Sequence, residues 1–159
     1  MGKGFTLIEM LVVIAILGLL ATVLLVTINP VAQIQKANDA RRKGDLNQLQ
    51  HALEMYYQDN GSYPPSSGNK IKGLNWGSSW SPYMSNLPQD PVSKYSYVYY
   101  STGQAYYLYA HLERGAADPQ ACKTTPPGGA CPSVASNGIS INACGGVCDY
   151  GVSSPNVSP

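Results

Sequence analysis

The sequence predicts an α+β fold, in which a long N-terminal helix has a membrane-spanning first half and packs by its second half on a small antiparallel β-sheet. The apolar run over residues 10–28 is long enough to cross a bilayer core. Aromatic-rich runs at residues 95–100 and 105–112 flank a short Gly-containing turn and predict a hairpin. Residues 139–141 and 150–152 are candidates for further short strands. A single apolar stripe on the polar second half of the helix is formed by Leu46, Leu49, Leu53 and Tyr56.

Two residues weaken the predicted helix. Gly18 costs about 1 kcal/mol relative to Ala in a helix interior. Pro30 lacks an amide N–H and its ring clashes with the carbonyl four residues back, so a kink or break is expected near residues 26–29. Alternatively, Pro30 begins a new helix with Asn29 as its N-cap. Both alternatives put a joint at this point, and residues 59–61 are expected to end the helix.

Glu9 lies at the start of the apolar segment, where a charge costs at least about 2.5 kcal/mol inside a bilayer and indicates a functional site that needs a partner. The leader before it, residues 1–4, is short and basic. A secretory signal peptide is cut after its apolar region, but the better cleavage point here, between Gly4 and Phe5, precedes that region. Processing would therefore leave the helix on the mature chain. The alternative is an ordinary N-terminal anchor with an incidental Glu.

The N-terminus resembles the class III signal of type IV prepilins and type II secretion pseudopilins. The matching residues are Gly4, Phe5, Thr6, Leu7, Ile8, Glu9 and the run 10–17. The resemblance implies cleavage between Gly4 and Phe5 by prepilin peptidase, N-methylation of Phe5, and a role for Glu9 in assembly. Residues 52–64 and 87–91 resemble the helix end and the sheet-entering loop of major pseudopilins and their pilin relatives.

The four cysteines, Cys122, Cys131, Cys144 and Cys148, lie in the last quarter of the chain. An even number behind an export signal predicts disulfides, and the spacings lack the C-x2-C pairs typical of zinc sites. Three pairings are possible; turn residues between neighbouring cysteines favour neighbour pairing without excluding the others. Two features depart from major pseudopilins: this tail is more like the disulfide loop of type IV pilins, and Val92 stands where Trp is typical.

The charge balance excludes a strongly basic or acidic surface: ten Lys or Arg face nine Asp or Glu, and removal of Lys3 leaves nine of each. Residues 41–43, Arg-Arg-Lys, are expected to form a solvated or subunit-facing patch. A nucleic-acid partner stays open, because three basic residues are a weak footprint and a tyrosine-rich hairpin can stack bases.

Catalytic motifs are absent from the sequence, which has no Walker loop, H-E-x-x-H or G-x-S-x-G, so we expect no enzyme. His51 and His111 have no acidic or Cys partner at a telling spacing and are expected to be structural. We expect no cofactor. The resemblance implies calcium near the Asp-Pro segment, with Asp90 as the matching residue, but too few acids follow Asp90 to complete six to eight oxygen ligands.

The predicted organisation is a leader at residues 1–4, a transmembrane and filament-core helix at 5–29, the packing half of the helix at 30–60, and a globular head at 61–159 with a disulfide-rich tail. We interpret the chain as a structural subunit, a major pilin, of a type IV pilus-like filament. The alternatives are a type II secretion or DNA-uptake pseudopilin, and a membrane-anchored binding domain that never polymerises.

The resemblance also implies partners and a location. The partners are copies of the chain itself, prepilin peptidase, and the assembly machinery in the membrane. The monomer would wait in the cytoplasmic membrane, crossing once with its N-terminus in the cytoplasm, and would end in an extracellular cell-surface filament. Positive-inside counting taken alone gives the opposite orientation, because four basic residues follow the apolar run.

Overall fold

The structure, a computed structural model, describes residues 4–159, apart from the side chains of residues 24–28. The chain forms two compact units, Met1–Ile34 and Gln35–Pro159. Its helices are α1 (Leu7–Ile28), α2 (Pro30–Asn60) and α3 (Pro132–Ser136), with a 3₁₀ turn at Gly115–Ala117. The strands are antiparallel, so the predicted α+β class is confirmed.

The first unit is dominated by α1, which runs without interruption through Gly18. It ends at Ile28, and the next residue, Asn29, has a φ of 42° in the left-handed region. Pro30 is the first residue of α2, and the Asn29 Oδ1 accepts the Ala32 N–H at 3.3 Å. This is the geometry of a new helix that starts at proline with asparagine as its N-cap. Among the residues with described side chains, no helix is both long and apolar enough to cross a membrane.

The second unit is built on the apolar stripe of α2. Leu46, Leu49 and Leu53 are completely buried, and Tyr56 packs against the same cluster. The other side of this core is supplied by the sheet, through Tyr99, Tyr106, Leu108 and Tyr150, and by Tyr97 just before β3. α2 ends at Asn60, and Gly61 follows with a φ of 68°, as expected for a left-handed helix cap.

The main sheet has three strands in the order β3 (Val98–Ser101), β4 (Tyr106–Ala110) and β5 (Tyr150–Ser153). The central strand pairs Leu108 with Tyr99 on one side and with Val152 on the other. A second, two-stranded sheet joins β1 (Ser66–Ser67) to β2 (Lys70–Ile71) inside the segment expected to be a long loop. The strand proposed at residues 139–141 is wrong: Ile139 and Ser140 belong to no element and Ile141 begins a turn, in which the Ala143 N–H donates to the Ser140 carbonyl.

The C-terminal tail is tied to the sheet by two disulfides, Cys122–Cys131 and Cys144–Cys148. The expectation of disulfides is therefore confirmed, and the pairing is between neighbours. Both bridges contribute to a second apolar cluster, which includes one residue of β3 and one of β4. Its buried members are Val98, Tyr109, Cys131, Val134, Ile139, Cys144 and Cys148. The tail then returns as β5, so it covers what would otherwise be an open edge of β4.

Candidate functional site

The N-terminal segment is accessible. Gly4, Phe5 and Thr6 lie outside any helix or strand, and the Phe5 side chain is 76% exposed. α1 begins directly after them at Leu7. A peptide bond between Gly4 and Phe5 can therefore be reached without unfolding a helical turn.

Glu9 forms a capping box with Thr6 at the start of α1. The Thr6 N–H and hydroxyl donate to Glu9 Oε2 at 2.8 and 2.6 Å, and the Glu9 N–H donates to Thr6 Oγ1 at 3.3 Å. The carboxylate thus satisfies a free amide of the first turn and lies at the positive end of the helix dipole. It is exposed, so the same oxygens can also meet a positive group outside α1.

The described surface of α1 is apolar on every side. All side chains of residues 7–23 are exposed, including Leu7 at 83%, Ile8 at 70% and Leu19 at 68%. A helix that is apolar all round requires cover from lipid or from other protein. Neither Gly18, in the middle of α1, nor Pro30 at the joint contacts Glu9 in the described chain.

A second polar site lies in the second unit, where Arg42 of α2 is completely buried. Its Nε and Nη2 donate to the two carboxylate oxygens of Asp90 at 2.8 and 2.9 Å. Its Nη1 donates to Asp39 at 2.8 Å and to Glu113 at 3.2 Å. The prediction that residues 41–43 form a solvated patch is wrong at this residue. One signal could have found it: Arg42 lies four residues before Leu46 and so extends the apolar stripe by a turn.

The three carboxylates around Arg42 join α2 to two loops. Asp39 also accepts the backbone N–H groups of Glu113 and Arg114 at 2.9 and 3.0 Å, and Asp90 accepts that of Val92 at 2.8 Å. Burial alone would lower the pKa of Arg42, but the hydrogen bonds and charges of its carboxylates raise it above its ordinary value. Arg42 therefore stays charged at every pH the fold survives.

Asp90, the weak calcium candidate, has both carboxylate oxygens engaged by Arg42. A cation there would have to displace a buried guanidinium. In residues 4–23 and 29–159, no group of three His, Cys, Asp or Glu side chains is placed to hold a metal. The residues around Asp90 therefore do not fit a calcium ion.

The neighbours of Arg42 behave differently from it. The Arg41 side chain is 63% exposed and lies 4.0 Å from Asp45. Lys43 donates to both oxygens of Asp118 at 2.6 and 2.7 Å. Burial opposes ionisation of Asp118, but the Lys43 hydrogen bond, the Gln120 N–H and the Lys43 charge together outweigh it and lower the pKa of that carboxyl. Two residues of the basic triplet, Arg42 and Lys43, thus tie α2 to other parts of the second unit.

The histidines do not form a catalytic group. His51 is exposed on α2. His111 lies with its Nδ1 2.8 Å from the Val147 carbonyl and its ring 4.5 Å from that of Tyr95. Its nearest carboxylate, on Asp149, is 3.9 Å away.

Comparison with known proteins matches two parts of the chain. Residues 2–25 match the prokaryotic N-terminal methylation motif. Residues 29–123 match the family described as type II secretion system (T2SS), protein G. No solved structure matches the chain.

Curated relatives carry two kinds of name. The type II secretion system core protein G of Pectobacterium carotovorum is 39% identical over 56% of this chain and 61% of its own length. The protein of the same name from Pseudomonas aeruginosa is 34% identical over 68% of this chain and 81% of its own. The type IV wide pilus major component PilA4 of Thermus thermophilus is 48% identical over 39% of this chain and 46% of its own. The match spans less than two thirds of the Pectobacterium relative.

An apolar helix with a methylation motif, followed by a helix packed on an antiparallel sheet, defines a pilin-like protein. Within this class the match over residues 29–123 covers more than half of the chain. The chain belongs to the type II secretion system protein G family.

Proposed function

We propose that this chain is the repeating structural subunit of a pseudopilus, the short filament of a type II secretion system. The observation that carries the proposal is α1, whose described side chains are all exposed and, apart from Glu9 and Thr22, present no polar group on any face. Lipid covers such a helix in a monomer, and copies of the same helix cover it in a filament. Polymerisation therefore replaces the lipid contacts of α1 by contacts with α1 of other subunits.

Processing prepares α1 for this exchange. We propose that prepilin peptidase cuts between Gly4 and Phe5 and methylates the new Phe5 amine, in accord with the methylation motif over residues 2–25. Before assembly the chain stays in the cytoplasmic membrane, with the leader on the cytoplasmic side and the head on the other. The two disulfides suit that side, since such bonds persist in oxidising compartments.

Glu9 selects the position of the incoming subunit. Cleavage creates a positive amine at Phe5, next to a helix N-terminus that disfavours positive charge. In a filament core that amine leaves water, and a buried ion is costly unless it is paired. Glu9 of a neighbouring subunit can supply the partner, because its carboxylate is exposed and lies one turn into α1. A subunit would then stop where its amine meets a neighbour's Glu9.

A type IV pilus subunit is the second candidate, and two observations favour it. Identity to the Thermus wide pilus component reaches 48% over 62 residues. The tail beyond residue 123, which holds three of the four cysteines, lies outside the match to protein G. We rank it second, because the relatives named protein G match over a longer part of the chain. A DNA-uptake pseudopilus and a non-polymerising anchored domain have no specific support.

A deletion strain distinguishes the two filaments. If the chain builds a pseudopilus, its loss should leave exported proteins trapped inside the outer membrane, and the wild-type gene should restore their release. Surface pili should be unaffected. Loss of surface pili with normal secretion would replace the proposal with the pilus subunit, and loss of neither would contradict both.

A further inference from the structure

The surface charge of the head differs from its formal charge, because almost all of its acids are used internally. Asp39 and Asp90 pair with Arg42, Asp118 pairs with Lys43, and Glu54 accepts hydrogen bonds from two tyrosines. The remaining acids inside the head are Asp45, Glu113 and Asp149, each of which is bonded to a neighbour. Asp59 is the one exposed carboxylate of residues 35–159 with no polar partner in that unit.

Unlike the acids, several basic side chains of residues 35–159 have no carboxylate partner. A groove of about 390 Å³ lies between the N-terminal part of α2 and the segment after β4. Lys36 and Arg114 line it, and neither side chain pairs with a carboxylate in the described chain. The groove's own acids, Asp39 and Asp118, are held by Arg42 and Lys43. The groove therefore presents unpaired positive charge to a ligand that carries a carboxylate.

Asp59 occupies a position that its own fold disfavours. It lies in the last turn of α2, which contains no basic residue. The C-terminal end of a helix carries partial negative charge, so an exposed acid there lowers rather than raises helix stability. The exposed Asp59 carboxylate is therefore free to pair with a cation outside the subunit, where such a pair would offset this cost.

We propose that Asp59 of one subunit pairs with Arg114 and Lys36 in the groove of a second copy of the chain. This contact rests on the proposed function, since it is one of the contacts of the filament. Lys36 and Asp59 are 23 residues apart on α2, a rise of about 34 Å. Two subunits offset by that length along the helix bring the two groups together. The paired surfaces differ, so the contact is heterologous and repeats along a helical polymer.

A charge-swap experiment tests the pair in the full-length chain expressed in its own host. The variants are Asp59→Lys, Arg114→Glu and the double variant, with Lys123→Glu as the control. Lys123 is an exposed cation outside the groove. Filament yield is counted by electron microscopy at matched subunit levels. Each single reversal should lower the yield by about tenfold, and the double variant should recover to within about threefold of wild type, because a direct pair makes the two changes non-additive.

Monomer stability separates this contact from a folding defect. Asp59→Lys replaces an unfavourable acid by a favourable base at the end of α2. Its thermal unfolding in detergent should therefore occur at or above the wild-type temperature although its filament yield falls. Lys123→Glu should assemble normally.

Three results would overturn the pairing: normal filaments from both single variants, a double variant no better than the weaker single, or a loss confined to Arg114→Glu. The last would mean that the groove takes an anion from another source, such as a lipid headgroup. Absence of filaments from the wild-type chain would instead contradict the proposed function.

Discussion

A single residue, Arg42, joins α2 to the loop before the sheet and to the segment after β4. One guanidinium reaches Asp39 on α2, Asp90 in the loop before the sheet, and Glu113 after β4. Removing one partner of a buried ion cluster leaves the others uncompensated, which costs more than the cluster itself contributes.

Arg42→Ala should therefore destabilise the head by about 3–5 kcal/mol, because three carboxylates would lose their only shared cation. Urea unfolding of the detergent-solubilised chain measures this. The neighbouring Arg41→Ala is a matched control and should change the free energy of unfolding by less than about 0.5 kcal/mol, since Arg41 is largely exposed. Equal effects of the two substitutions would contradict the assigned role of Arg42.

The burial of Arg42 could not be predicted from the sequence as the burial of the leucines could. The apolar spacing of Leu46, Leu49 and Leu53 predicts the buried face of α2, because apolar burial follows the helix period. The same spacing includes Arg42, but burial of a charge depends on partners that are 48 and 71 positions away along the chain. Periodicity carries no information about such partners, so the expectation of a solvated patch was wrong at Arg42.

Glu9→Val tests the charge at the start of α1. The variant should insert into the membrane and be cleaved between Gly4 and Phe5, because neither step uses the Glu9 charge in our account. It should remain in the membrane fraction and fail to enter filaments. Abundant filaments of wild-type length, built from this variant alone, would show that Glu9 does not direct assembly.

Glu9→Gln is the companion variant, because it keeps an oxygen that can accept from Thr6 and removes only the charge. It should fail in the same way. Normal assembly of Glu9→Gln beside failure of Glu9→Val would assign Glu9 to helix capping rather than to a neighbour's amine.

Among the secondary-structure elements, the sheet is notable for the tyrosines that it and its flanking residues bury in the core. Tyr97, Tyr99 and Tyr106 are buried, and burial is the main reason that their pKa values are raised above the ordinary value. Tyr63, which packs edge-on against Tyr106, has its pKa raised to about 12, again chiefly by burial.

Alkaline titration should expose this core. Because the folded-state pKa values lie above the unfolded value of about 10, these tyrosines stabilise the fold fully below pH 10 and less as the pH rises through the folded values. Tyrosinate absorbance should therefore appear in two steps, the exposed rings first and the buried rings together with loss of near-ultraviolet circular dichroism. A single step near pH 10 with the fold intact would contradict the buried core.

The elements differ in how far the sequence predicts them. The β3–β4 hairpin follows from aromatic runs around Gly103, whose φ of 86° suits a tight turn. β1 and β2 have only two residues each and thus no period to detect. The segment Ile139-Ser140-Ile141 alternates like a strand, but it lies between α3 and the Cys144–Cys148 disulfide and pairs with no strand of the described chain. Covalent and tertiary constraints decide there, and local pattern does not.

For the whole molecule to polymerise, α1 must stay on the mature chain after processing. Intact-mass analysis of native chain from filaments should show loss of residues 1–4 and gain of one methyl group, placing Phe5 at the N-terminus. A mature chain that begins near Ala21 would mean removal of α1 as an ordinary signal peptide, and no polymer could then be built on it.

Electron cryomicroscopy of the native filament fraction can show whether the chain polymerises through α1. The reconstruction should show a helical polymer of this chain, with the helices of residues 5–28 packed together at the core and the heads of residues 61–159 outside. A filament in which α1 lies at the surface, or wild-type chain found only as membrane monomer when the secretion genes are expressed, would contradict the account.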